Sequence, residues 1–112
     1  MTKKKIQKAV RHNLKCDPVP FQAIWDGRKV SDIRFDDRNF KVGETVNFEE
    51  THFTGAQMRK GEPYILHYTG RHIEAKITHI QGFENGYGLL VGYVILSLEV
   101  LVLEVSDYVK AT

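Results

Sequence analysis

Gly27-Arg28-Lys29-Val30-Ser31-Asp32-Ile33-Arg34 is the stretch whose reading decides the fold, because the apolar period changes across it. Ahead of it, Phe21, Ile24 and Trp25 recur at helical spacing, which gives one apolar stripe. Asp17 is placed to cap that helix through its carboxylate, Pro18 suits the first turn, and Gly27 can end the helix in a left-handed conformation. A helix of about nine residues is marginal alone, so it must lie against a sheet. Trp25 shares the stripe with Phe21 and reads as a core anchor. After Gly27 the period becomes two. Val30, Asp32 and Arg34 would project from one face of a strand, and Ser31, Ile33 and Phe35 from the other. Hydrophobicity assigns Ile33 and Phe35 to the core, which leaves Asp32 and Arg34 facing a cleft or solvent, near enough to pair.

Working outward, residues 11–16 alternate as a first strand, with His12, Leu14 and Cys16 on one side. Residues 1–10 carry four lysines and read as a basic flexible arm. Downstream, residues 36–39 read as a turn and residues 40–44 as a second. Residues 45–49 form a strand with Val46 and Phe48 on one side. Residues 50–63, broken by Gly55, Gly61 and Pro63, read as a long loop. Residues 64–68 suggest a short strand before a Thr69-Gly70 turn. Residues 71–80 alternate clearly, with Ile73, Ala75, Ile77 and His79 on one face. A glycine-rich connection, residues 82–92, leads to residues 93–105, the most β-prone stretch, which reads as a buried strand. Residues 106–112 form a C-terminal tail. Five or six strands with one early helix, and no strand–helix alternation, predict an α+β, mainly β domain: a small mixed barrel spanning residues 11–105.

Composition narrows the partners. A chain of 112 residues with 42% hydrophobic and 27% charged residues supports one folded domain. The net charge of +2 is too small for a general polyanion binder, so attraction to phosphate must come from local clusters such as Lys15, Arg28, Lys29 and Arg34. Cys16 is the only cysteine, and the N-terminal charges lack an apolar stretch behind them; a cytoplasmic location is the expectation. The apolar run at residues 91–105 is interrupted by Ser97, Glu99 and Glu104 and is too short for a membrane helix.

Several chemistries find no motif. There is no Walker-type loop, no dinucleotide fingerprint and no paired cysteines for zinc. His12, His52, His67, His72 and His79 fall at no recognised ligand spacing, so neither metal nor cofactor is expected. His67 and His72 flank one turn and could meet across a hairpin. Cys16 on a strand reads as buried packing.

The opening stretch does carry a motif. Gly27-x-Lys29-x-x-Asp32-x-Arg34 resembles the G-x-K-x-x-E-x-R signature of ASCH domains, which belong to the PUA-like β-barrel superfamily. His12-x-Leu14-Lys15, Pro20-Phe21-x-Ala23-Ile24, Asp37-Arg38-x-Phe40-x-Val42-Gly43, Tyr68-Thr69-Gly70-Arg71 and Gly92-Tyr93-Val94-Ile95-Leu96-Ser97-Leu98 extend the likeness. Together they resemble a phage and bacterial family of small ASCH-like proteins described as a domain of unknown function, over roughly residues 11–98. The resemblance implies a PUA-like barrel with a cleft between barrel and helix, and a role in binding RNA, a nucleotide or a nucleoside. It implies ligand-binding positions at Lys15, Gly27, Lys29, Asp32, Arg34, Arg38, Tyr68 and Arg71.

Residue chemistry agrees in kind: Lys29 offers a mobile cation, Arg34 a planar fork and Lys15 a third positive group, while Tyr68 or Tyr93 could stack a base. Without the resemblance, Asp32 and Arg34 read as a solvated pair worth about 0–1 kcal/mol. With it, Lys29 and Arg34 become ligand contacts and Asp32 orients Arg34. The alternative is an amidohydrolase on a modified nucleoside such as acetylated cytidine, with Lys29 and Asp32 catalytic. Asp32 stands where that branch of ASCH proteins has a threonine, which favours binding over catalysis. A third expectation is a protein-interaction module, since residues 99–105 extend past the resemblance and could supply an exposed β edge.

Overall fold

The alternation at the N-terminus is realised as strand β1 (Arg11–Cys16), whose Leu14 and Cys16 are buried. It leads into helix α1 (Pro18–Trp25), which buries Phe21 and Ile24. The helix stops as its sequence dictates. Gly27 takes φ +79°, its N–H donates to Ile24 O at 3.0 Å, and Arg28 N–H donates to Ala23 O at 2.9 Å. These are the two closing bonds of a Schellman motif, and only a residue without Cβ adopts that turn cheaply. Strands β2 (Ser31–Phe35), β3 (Thr45–Thr51), β4 (Tyr68–Gly82) and β5 (Tyr93–Val105) follow, with helix α2 (Gly55–Met58) between β3 and β4. The computed structural model describes residues 10–86 and 88–106. The expected basic arm and C-terminal tail lie outside them, apart from Val10 and Ser106.

The strands form one mixed sheet in the order β1-β3-β4-β5-β2, in which β1 and β3 are parallel and the other pairs antiparallel. The sheet curls into a half-barrel, so the mainly β expectation holds. Its long central strands carry the bend. In the β4–β5 ladder Leu101 is an extra residue on β5 and Thr78 an extra residue on β4, and such bulges increase local twist. The concave face holds Val46, Phe48, Ile73, Ala75, Ile77 and Leu96, closed on one side by Phe21 and Ile24 of α1.

Four local expectations are corrected. Asp17 makes no side-chain cap on α1; its Oδ1 instead accepts from Gly55 N–H at 3.0 Å, joining α1 to α2. Residues 50–63 are not one irregular loop, because β3 runs on to Thr51 and α2 follows. Residues 64–67 are not a strand, and Thr69 and Gly70 lie within β4. Residues 93–105 are one strand, but only its first half alternates into the core; residues 99–105 are all exposed.

The most consequential correction concerns β2. Asp32 is only 7% exposed, whereas Ile33 and Phe35 are 58% and 53% exposed, so the faces are the reverse of those hydrophobicity assigns. The reason is register. Asp32 stands opposite Leu96 and Arg34 opposite Val94, and directly paired residues share a face. Leu96 and Val94 belong to the core, so Asp32 and Arg34 must point inward with them.

Candidate functional site

The inward turn of Asp32 and Arg34 creates a polar end to the half-barrel. Arg34 Nε donates to Asp32 Oδ2 at 2.5 Å, and its Nη2 donates to Lys15 O at 2.9 Å. Its guanidinium carbon lies 5.6 Å from the centroid of the Phe48 ring. No bond engages Arg34 Nη1 among the described residues. Lys29 Nζ donates to Ser31 O and lies 3.7 Å from Asp32 Oδ1, so two cations converge on one buried carboxylate. That convergence makes burial of Asp32 tolerable, since an unpaired buried charge would cost several kcal/mol.

Two adjoining cavities open beside this group and share Lys15, Asp17 and Arg34. The smaller, about 300 Å³, lies among Cys16, Pro20, Asp32, Phe35 and Tyr93. The larger, about 760 Å³, runs under α2 and the segment after it, with Met58, Arg59, Tyr64 and Leu66 on its far wall. The two form one cleft with charged and apolar lining. Lys15, Asp17 and Arg34 line the strand side, and the α2 side brings apolar Met58, Tyr64, Ile65 and Leu66 together with charged Arg59 and Glu62. Tyr64 is held edge-on against Phe53, ring centroids 5.3 Å apart at 83°. The Cys16 thiol is pushed up to about 12, by burial first and then by the Asp32 carboxylate. It stays neutral at pH 7 and contributes packing rather than a nucleophile.

The structure divides the residues expected from sequence. Lys15, Asp32 and Arg34 meet at the cleft. Lys29 adjoins them through Asp32 but lines neither cavity, and Gly27 serves as the turn that ends α1. Arg38 is engaged elsewhere, donating to Asn13 O at 2.9 Å and lying 3.8 Å from Asp37. Tyr68 and Arg71 line a separate cavity of about 380 Å³ with Arg11, Glu49 and His72.

Arg71 is also heavily committed. It donates to both carboxylate oxygens of Glu50, at 3.0 and 2.9 Å, and to Gln22 Oε1 at 2.7 Å. Its guanidinium lies 4.8 Å from the Trp25 ring and 5.2 Å from Phe21. Burial pushes the Glu50 carboxyl up, but hydrogen bonds from Arg71 and Thr69 outweigh it and hold the group below its ordinary value. This cluster fastens α1 to the sheet. His67 does not meet His72; it stacks on His52 with centroids 4.4 Å apart, while His72 Nδ1 bonds Asn47 Oδ1 at 3.1 Å.

Sequence reasoning missed Asp17, Met58, Arg59 and Tyr64. A signal for α2 was present in Thr54-x-x-Gln57, the pattern of a capping box. Both of its bonds form: Gln57 N–H donates to Thr54 Oγ1 at 3.0 Å, and Thr54 N–H to Gln57 Oε1 at 2.8 Å. Among the described residues, no group of three or more His, Cys, Asp or Glu is arranged to hold a metal ion. No helix there is long and apolar enough to cross a membrane.

A mixed half-barrel with one flanking helix and a cleft at its polar end defines a small mainly β domain. Residues 11–98 match a family described as a domain of unknown function, DUF3850, and the chain belongs to that family. No curated protein matches it.

Proposed function

We propose that the domain is a PUA-like module of the ASCH type that binds RNA or a nucleotide, without catalysis, in the cleft between β2, α1 and the α2 segment. The observation that carries this reading is the meeting of aromatic and apolar side chains with cations in one cleft. A nucleotide unit has a flat, weakly polar base and an anionic phosphate, and the cleft brings Tyr64 and Met58 together with the cations Lys15, Arg34 and Arg59. Arg34 is oriented in advance by Asp32 and the Lys15 carbonyl, and its uncommitted Nη1 is a donor for phosphate or a base edge. The larger cavity, at about 760 Å³, is of the size that ligand sites occupy. Binding is preferred to hydrolysis because Lys29, the amine a hydrolase would activate, is tied to Ser31 O and Asp32 and lies outside the cavity walls.

The test is a titration, followed by amide chemical shifts, with single-stranded RNA oligonucleotides and with mononucleotides. Perturbations should map to Lys15, Arg34 and Tyr64, and affinity should fall steeply with salt if phosphate dominates. Unchanged affinity in the Lys15→Ala, Arg34→Ala double variant would remove the site. Release of acetate from acetylated cytidine above a Lys29→Ala control would overturn the non-catalytic reading.

A further inference from the structure

The two cavities of the cleft adjoin, and the residues they share are Lys15, Asp17 and Arg34. Two of these three are cations, and shared lining puts them at the boundary between the cavities. Each cavity also has aromatic lining of its own, Tyr64 in the larger and Phe35 with Tyr93 in the smaller. The order across the cleft is therefore aromatic, cationic, aromatic.

Phe35 is the least expected member of that row. It is 53% exposed, yet its ring is held in place. Tyr93 stands opposite it in the ladder and packs edge-on, with ring centroids 5.5 Å apart at 70°. Gly92 leaves room for the ring, since a Cβ there would lie 2.6 Å from Phe35 Cε1. Gly92 O accepts from Asp36 N–H at 2.8 Å, which fixes the two segments against each other. The ring is seated on its neighbours while much of its surface stays open. At the boundary, Asp32 is met by Lys29 as well as Arg34, and Asp17 Oδ1 accepts from Gly55 N–H at 3.0 Å. With Lys29 set against Asp32, Lys15 and Arg34 face the carboxylate of Asp17 alone.

Resting on the reading that this cleft binds nucleotides, we propose that it takes two consecutive nucleotides of a single strand. The phosphodiester that joins them meets Lys15 and Arg34, one base lies against Tyr64, and the other lies against Phe35. The ligand has the same order as the cleft. A phosphodiester is one anion with a flat base on either side, and a single strand lets those bases splay apart onto separate rings. A duplex keeps its bases paired and stacked, and a mononucleotide reaches only one ring. Size agrees, because the cavities of about 760 and 300 Å³ both reach the range of ligand sites.

Calorimetric titration of the full chain tests this with three ligands: the dinucleotide adenylyl-adenosine, adenosine 5′-methyl phosphate and adenosine 3′-methyl phosphate. All are phosphodiesters, and only the first carries two bases. The dinucleotide should bind at least about fivefold more tightly than either single-base diester, the effect of one more stacked base. Phe35→Ala should reduce that advantage to less than about twofold, as should Phe35→Leu, which keeps an apolar side chain without a flat face. Both variants should keep the wild-type circular dichroism, because Phe35 is already half exposed. Lys15→Ala with Arg34→Ala should weaken all three ligands alike. Equal wild-type affinity for the dinucleotide and the single-base diesters overturns the two-base site and leaves the cleft reading standing. An advantage that survives in both folded Phe35 variants does the same. If none of the three ligands binds, the cleft reading fails and the two-base site with it.

Discussion

Two arginines, Arg34 and Arg71, each meet a buried carboxylate on the inner side of the sheet, and they do opposite things. Arg71 contacts both oxygens of Glu50, the Gln22 amide and two aromatic rings, so it joins α1, β3 and β4 and has little left for a ligand. Arg34 meets Asp32 through one nitrogen, the Lys15 carbonyl through a second, and keeps a third beside a cavity. The same kind of pair, an arginine with a carboxylate, is a fastener where packed elements surround it, and where the surroundings open it is the recognition group of the proposed site. Surplus donors, rather than charge, separate the two.

Breaking the fastener gives the largest expected effect. Glu50→Ala leaves Arg71 facing the core without its carboxylate, and removing one partner of a buried pair costs about 3 kcal/mol. Thermal unfolding followed by circular dichroism should show Tm lowered by more than about 10 °C for a domain of this size. Nucleotide affinity of the protein that remains folded should be preserved.

Arg34→Ala should do the reverse. Losing hydrogen bonds to a charged ligand corresponds to about 1.5–3 kcal/mol, or roughly 10- to 150-fold in Kd by calorimetry, with a smaller change in Tm because buried Asp32 keeps Lys29 as its cation, 3.7 Å away. Arg34→Lys should fail to restore binding, because an ammonium cannot hold Asp32, the Lys15 carbonyl and a ligand from one rigid fork.

Acid sharpens the contrast. The folded-state pKa of Glu50 is depressed below its ordinary value of 4.5, so its contribution is fully present above that pH and lost as pH falls through the lower folded value. Denaturant unfolding at pH 7 and in that acid window should show a loss in the wild type that is smaller in Glu50→Gln. Lys15→Ala should reduce the salt slope of single-stranded RNA binding by about 0.7, one phosphate contact's worth, while changing stability little. The smallest effect belongs to Lys29→Ala. Because Lys29 lines neither cavity, affinity should drop by less than about threefold, and a loss as large as that of Arg34→Ala would mean that Lys29 reaches the ligand.

Much of the architecture was legible where the causes are local. The alternation of residues 11–16, the stripe of Phe21, Ile24 and Trp25, and the stop at Gly27 each depend on neighbours within a few positions, and each element formed as expected. The alternation of residues 71–80 holds only to Ile77, because the extra residue Thr78 breaks it and leaves His79 exposed. The capping box at Thr54 was equally local and was obscured by the surrounding glycines and proline. The candidate site was legible only in part. Lys15, Asp32 and Arg34 meet at the cleft, but Tyr68, Arg38 and Arg71 go elsewhere, since nothing in their spacing reveals which strand or helix stands beside them.

The opening stretch, Gly27 to Arg34, marks the boundary between the two kinds of information. By itself the sequence determined that a helix ends at Gly27, that a strand follows, and that Asp32 and Arg34 share one of its faces, because backbone sterics and side-chain period act within the stretch. Only the tertiary structure decided that this face points inward. The register with Leu96 and Val94 outweighed the hydrophobicity of Ile33 and Phe35, since a strand paired to a core-bearing neighbour must present the face its partner presents.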